Sequence, residues 1–148
     1  MPAVPDRTGL GWCGSMNLAR LFFLNALFIL AGGVILLVAP NQLTQLVGVH
    51  IDPNAYFVCY LLGVASLSFA VLSFFGIVLN DVNALRALSW TFLVFHASSA
   101  GVAVYASFAR SLSAAVWANI LVHVLFSILF VYYGLMRMSN DKVRGQPQ

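Results

Sequence analysis

A chain of 148 residues that is 61% hydrophobic and only 7% charged, with a mean hydropathy of +0.94, lies far outside the composition of a soluble domain. The formal charge of +3 would suit an acidic partner, but its placement gives it a simpler role as a topology signal, and nucleic acid is not needed to explain it. The four acidic residues, Asp6, Asp52, Asp81 and Asp141, all fall outside the apolar stretches, which excludes carboxylate proton relays and di-iron chemistry within a membrane.

Four apolar stretches, at about 17–38, 55–79, 85–108 and 112–136, are each long enough to cross roughly 30 Å of hydrocarbon as a helix. The reading is one all-α membrane domain over 17–138, a four-transmembrane-helix antiparallel bundle. An even number of spans puts both tails and the second loop on one side. That side carries Arg7, Arg20, Arg86, Arg137, Lys142 and Arg144 against Arg110 alone on the other, so the N- and C-termini are expected to be cytoplasmic.

Residues 1–16, with Pro2, Pro5 and three glycines, read as a flexible cytoplasmic lead-in, and Cys13 as a juxtamembrane free thiol. The first span follows, too long and without a cleavage site for a signal peptide, and so expected to be retained. It holds one polar residue, Asn25, on the same face as Gly32, which is expected to allow close helix approach. Pro40 closes this helix. Leu43, Leu46, Val47 and Ile51 then recur at three- and four-residue spacing, the pattern of a short amphipathic helix in the first outer loop. His50 and Asp52 beyond it read as solvated loop residues.

The second span carries small residues at Gly63, Ser66, Ala70, Ser73 and Gly76, and the third at Ala97, Ser99, Gly101, Ala103 and Ser107. Both are expected to pack tightly, because small side chains let helices approach in lipid. The turn Asn80-Asp81-Val82-Asn83 between them offers Asp81 or Asn83 as a cap. Residues 139–148 read as a disordered cytoplasmic tail.

No catalytic constellation, paired cysteines or phosphate-binding loop is present, so the chain is not expected to be an enzyme and no metal-ligand set is assigned. What remains is polar groups inside the spans. Asn119, His123 and Ser127 follow at i, i+4 and i+8 on one stripe of the fourth span, which should face the bundle interior; His96 and Ser99 share a face of the third. Counted from the span ends, the two histidines lie near mid-membrane, about one helical turn apart in depth. His96 and His123 are candidate axial ligands for a haem or a chlorophyll-type tetrapyrrole, one imidazole each, since adjacent helices are too close to hold iron between them. Asn25, Ser99, Asn119 and Ser127 are the candidate polar lining of a pocket for a sterol, quinone or other bound lipid. Interhelical hydrogen bonding that fixes the packing accounts for the same residues without a ligand.

Leu36-Leu37-Val38-Ala39-Pro40 at the end of the first span, Leu62-Gly63 in the second, Phe95-His96 in the third and Asn119 with His123 in the fourth together resemble small four-span bacterial membrane proteins of the DoxX-like kind. The resemblance implies the four-helix fold and a bacterial-type inner membrane, plasma or photosynthetic, and carries no catalytic residue. The expected role is a small accessory subunit that packs against other membrane-protein subunits or itself, in contact with membrane lipids and holding a lipid or pigment. A membrane enzyme or transporter for a lipophilic substrate is the alternative.

Overall fold

The computed structural model describes residues 12–109 and 113–137, with side chains from 18 to 109 and 113 to 136. Among the described residues five α-helices follow one another: α1 (Trp12–Val38), α2 (Pro40–Leu46), α3 (Tyr56–Val78), α4 (Val82–Ala109) and α5 (Ala114–Leu129), the last continuing as a π-helical segment over Phe130–Arg137. Four of these helical stretches are long and apolar enough to cross a membrane, Leu18–Val38, Pro53–Val78, Val82–Ala109 and Ala114–Met136. Their outer surfaces are as apolar as their interiors, with Phe57, Val71, Val94, Leu121 and Ile128 among many large exposed side chains. A helix apolar all round is stable only where its surroundings are also apolar. The protein is an integral membrane four-helix bundle.

Helix boundaries explain two departures from the sequence reading. Residues 12–16, expected in the flexible lead-in, belong to α1, which nothing before Pro40 interrupts. At the start of α4, Asp81 accepts a hydrogen bond from the Ala84 amide at 2.7 Å, so the cap falls on Asp81 and the helix begins three residues before the expected Leu85. Residues 1–11, 110–112 and 138–148, including Arg110 between the third and fourth spans and the C-terminal tail, lie outside the described residues.

The spans associate as two hairpins. In the first, α1 packs along α3 with backbones almost touching: a Cβ on Gly33 would lie 3.0 Å from Ser66 Cβ and 3.1 Å from the Gly63 carbonyl, and one on Gly76 would lie 2.8 Å from the Phe22 ring. The glycine that permits this approach is Gly33. Gly32, expected to do so, has nothing within 4 Å of its Cβ position. In the second hairpin α4 packs against α5 and the π-helical segment, where Ser89 occupies the space a side chain at Gly134 would need. The wider π turn keeps Phe126, Phe130 and Gly134, each four residues from the next, buried on one face; a continuous α-helix would carry them progressively off it.

Helices α3 and α4 each pack closely on a neighbour, α3 on α1 and α4 on α5, but scarcely meet one another. Several of their serines return hydroxyls to their own helices, Ser68 to the Val64 carbonyl and Ser98 and Ser99 to that of Phe95. Gly101 has open space around it.

Between the hairpins, on the side of the turn Leu79–Asp81, lies an aromatic core. Phe22, Phe92 and Phe130 are fully buried, with ring centroids 5.5–5.9 Å apart. On the opposite side the hairpins diverge. There α2, shorter than the sequence pattern suggests, starts with Pro40 at its first turn and ends at Leu46, with Gly48 two residues on at a φ of 81° that a helix does not continue through. Ser113, at the head of α5, donates its amide to the Val47 carbonyl and its hydroxyl to that of Leu46, which ties α2 to the second hairpin.

Candidate functional site

One continuous hydrogen-bonded chain of buried polar groups crosses the bundle and takes a member from each of the four spans. Ser73 on α3 donates its hydroxyl to the Phe22 carbonyl on α1 at 2.9 Å. Asn25, one turn further along α1, donates its amide Nδ2 to Ser73 Oγ at 3.0 Å. His96 Nε2 on α4 meets Asn25 Oδ1 at 2.7 Å, and His96 Nδ1 meets Nδ1 of His123 on α5 at 2.8 Å. Asn25, Ser73 and His96 are fully buried and His123 is 8% exposed. In hydrocarbon an unpaired polar group of this kind costs several kcal/mol, on the order of 2–7, so the four bonds hold the two hairpins in one register.

Neither nitrogen of an imidazole is intrinsically the donor; the neighbours decide. Here the decision starts at a group with no freedom, because the Phe22 carbonyl can only accept. Ser73 therefore spends its single hydrogen on that carbonyl and must accept from Asn25, which puts the Asn25 amide nitrogen toward Ser73 and its oxygen toward His96. His96 then donates from Nε2, leaving its Nδ1 as a lone pair, and His123 donates from Nδ1 to meet it. The last atom, His123 Nε2, carries an unprotonated lone pair. The reverse polarity would set the Ser73 and Phe22 oxygens 2.9 Å apart with no hydrogen between them and lose one of the four bonds.

Aromatic rings clamp both imidazoles. His96 stacks on Phe126 at 4.9 Å with 14° between planes and on Phe130 at 6.0 Å, while Phe28 and Phe95 set their rings edge-on to His123 at 5.5 and 6.0 Å, with 77° and 61° between planes. The histidines are level in the membrane rather than a turn apart, because α4 starts three residues earlier than expected, about 4.5 Å of helix.

Beyond His123 the divergence of the hairpins leaves a cavity of about 810 Å³, walled by Phe28, Gly32, Ile35, Leu62, Phe95 and Val102 and approached by Leu43 of α2. Its polar residues are Ser66, Ser98, Ser99, Asn119 and His123. The three serine hydroxyls are already committed to carbonyls of their own helices. Among the described residues, no buried side-chain nitrogen or oxygen lacks a partner, and His123 Nε2 has none; that atom is therefore open to the cavity. The Asn119 amide, one helical turn away on the same stripe, is likewise without a protein partner among the described residues and is exposed where it lines the cavity. The site thus offers one acceptor lone pair and one amide in an otherwise apolar chamber.

The residues selected from the sequence fall into three groups. Ser99, Asn119 and His123 line the cavity. Asn25, expected in that lining, is sealed inside the polar chain, and Ser127, expected beside it, gives its hydroxyl to the His123 carbonyl at 2.9 Å. His96, a candidate axial ligand, has both nitrogens engaged and no lone pair to offer a metal. A metal between the two imidazoles would need about 4 Å of nitrogen separation against the 2.8 Å found. Among the described residues no group of three or more His, Cys, Asp or Glu side chains is placed to hold a metal ion. Asp52, outside the membrane-spanning core, accepts from the Asn54 amide at 2.8 Å and caps the turn into α3.

Two contributors escape the sequence reading. Ser73 reads as one more small packing residue, although a hydroxyl inside an apolar span is costly unless it is bonded. Phe28, which closes the cavity floor against His123, carries no signal that separates it from lipid-facing aromatics. Comparison with family models, with curated proteins and with solved structures finds no match to this chain, so the site stands on its own geometry.

Proposed function

We propose that the protein holds a lipophilic molecule with a polar end in the cavity between its hairpins, the polar end at His123 and Asn119 and the apolar body along Phe28, Ile35, Leu62 and Val102. The observation that carries this reading is the pairing of an apolar chamber of about 810 Å³ with a single open imidazole nitrogen at its floor. Ligand sites have this volume and this ratio of apolar wall to fixed polar groups. The chain behind His123 orients that nitrogen and conducts nothing, because it ends on a backbone carbonyl that neither gives nor takes a proton. Binding, with no bond made or broken, is the function this arrangement supports.

A second reading, a subunit that packs against other membrane proteins, draws on Ala97 and Gly101, an exposed small-residue pair on α4 that no helix of this chain covers among the described residues. The two roles are compatible, since that face and the cavity are different surfaces of the bundle.

Gly32→Leu tests the first reading. The new side chain enters open space in the cavity. Lipophilic molecules that stay with the purified protein through native mass spectrometry should be lost or sharply reduced in this variant while its melting temperature is kept. An identical bound complement in the two proteins would refute the cavity as the site.

A further inference from the structure

We infer that the molecule held in this cavity ends in a hydroxyl group that donates its hydrogen to His123 Nε2. This rests on the cavity's being a ligand site, and adds the chemical class of the ligand.

The hydrogen inventory of the polar chain decides the class. His123 Nδ1 holds the ring's one hydrogen and gives it to His96, so Nε2 accepts and cannot donate. A carbonyl, ester or ether oxygen brought to Nε2 would set two lone pairs against each other among mostly apolar walls. A hydroxyl supplies the missing hydrogen, and its oxygen keeps lone pairs for the Asn119 amide hydrogens one helical turn away. An alternative tautomer that would serve a carbonyl ligand, with hydrogen on Nε2, requires reversal of every donor back through His96 and Asn25 to Ser73, and loses there the hydrogen bond to the Phe22 carbonyl. The selection is thus made by residues far from the ligand. Ser73 and Asn25 do not line the cavity, and they act on the ligand only through His123.

A hydroxyl-ended lipophile can be a flexible long-chain alcohol or a rigid ring alcohol, and the chamber volume admits either. The experiment uses the full chain in lipid nanodiscs and two matched pairs, 1-hexadecanol with 1-methoxyhexadecane and cholesterol with cholesteryl methyl ether. Affinity is read by competition with a brominated fatty alcohol. In at least one pair the alcohol should bind about tenfold tighter than its ether, the ratio expected for one hydrogen bond in place of a lone-pair clash. The pair that discriminates identifies which source fits. Ser73→Ala removes the anchor of the polarity without touching the cavity wall, and should bring that ratio down several-fold toward unity by strengthening ether binding. His123→Phe should abolish it.

Equal affinity of alcohol and ether in both pairs, or preference for the ether, overturns the inference while leaving the cavity a ligand site. Failure of all four probes to compete, together with a bound complement unchanged by Gly32→Leu, removes the site itself. A visible absorption band that co-purifies with the protein and is lost in His123→Phe would assign the lone pair to the metal of a tetrapyrrole and overturn the hydroxyl assignment. Should Ser73→Ala not fold, the wild-type ratios decide.

Discussion

The two halves of this bundle are made of the same helices and meet the same lipid, yet one is filled and the other is not. On the side of the α3–α4 turn, glycines at 76 and 134 and the buried rings of Phe22, Phe92 and Phe130 pack the hairpins closely together. On the α2 side the same four helices diverge around about 810 Å³. The polar chain from Phe22 to His123 lies at the boundary, and all its groups are satisfied except the one atom that faces the open half. Lipid provides no hydrophobic drive to collapse such a space, so an unfilled half survives where side chains are not shaped to close it. The filled half and the polar chain thus form a rigid base, and the open half is where this fold leaves room for another molecule.

Breaking the boundary should have the largest effect. His96→Ala removes a ring stacked between Phe126 and Phe130 and strands both the Asn25 oxygen and the His123 donor. We expect a loss of about 3–5 kcal/mol in reversible unfolding in mixed micelles. A loss below about 1 kcal/mol, the worth of one ordinary hydrogen bond, would mean that the chain does not hold the hairpins together.

A smaller effect should separate the halves themselves. Gly76→Ala, in the filled half, pushes a methyl group against the Phe22 ring where nothing can yield, and should cost about 1–3 kcal/mol. The same change at Gly32, in the open half, meets nothing within 4 Å and should stay within about 0.5 kcal/mol of wild type. Similar costs at the two glycines would erase the contrast. Asn119→Ala should be the mildest for stability, below about 0.5 kcal/mol, because the amide supports no described protein group; it should nonetheless weaken several-fold the binding of whichever alcohol is preferred to its ether.

Much of the fold is legible in the amino-acid sequence, and the reason is physical. Span number and length follow from the thickness of hydrocarbon, and a charge or proline ends each stretch plainly enough to place its boundary within a few residues. The polar residues of the site are legible for a related reason: Asn25, His96, His123 and Asn119 stand out because apolar surroundings make each one costly. Their pairing is not legible. Helical periodicity places Asn25 and His96 on faces of their own helices but leaves open which helices meet, and the small residues on α3 and α4 announce close packing without naming α1 and α5 as the partners. Gly32 and Gly33 are adjacent in sequence and differ by about 100° around the helix, so a shift of one residue separates the glycine that packs from the one that faces the cavity. The direction of the hydrogens is further still from the sequence, since it depends on a backbone carbonyl that every residue possesses.

The ligand class rests on that direction, and nitrogen-15 NMR of histidine-labelled protein in nanodiscs reads it directly. The three histidines are His50, His96 and His123, and the signals lost in His123→Phe and in His50→Gln assign them. We predict that His123 carries its hydrogen on Nδ1, with Nε2 bare, and that His96 carries its hydrogen on Nε2. A His123 protonated at Nε2, with His96 protonated at Nδ1, would show the chain running the other way and would contradict both the anchor at Phe22 and the ligand class drawn from it.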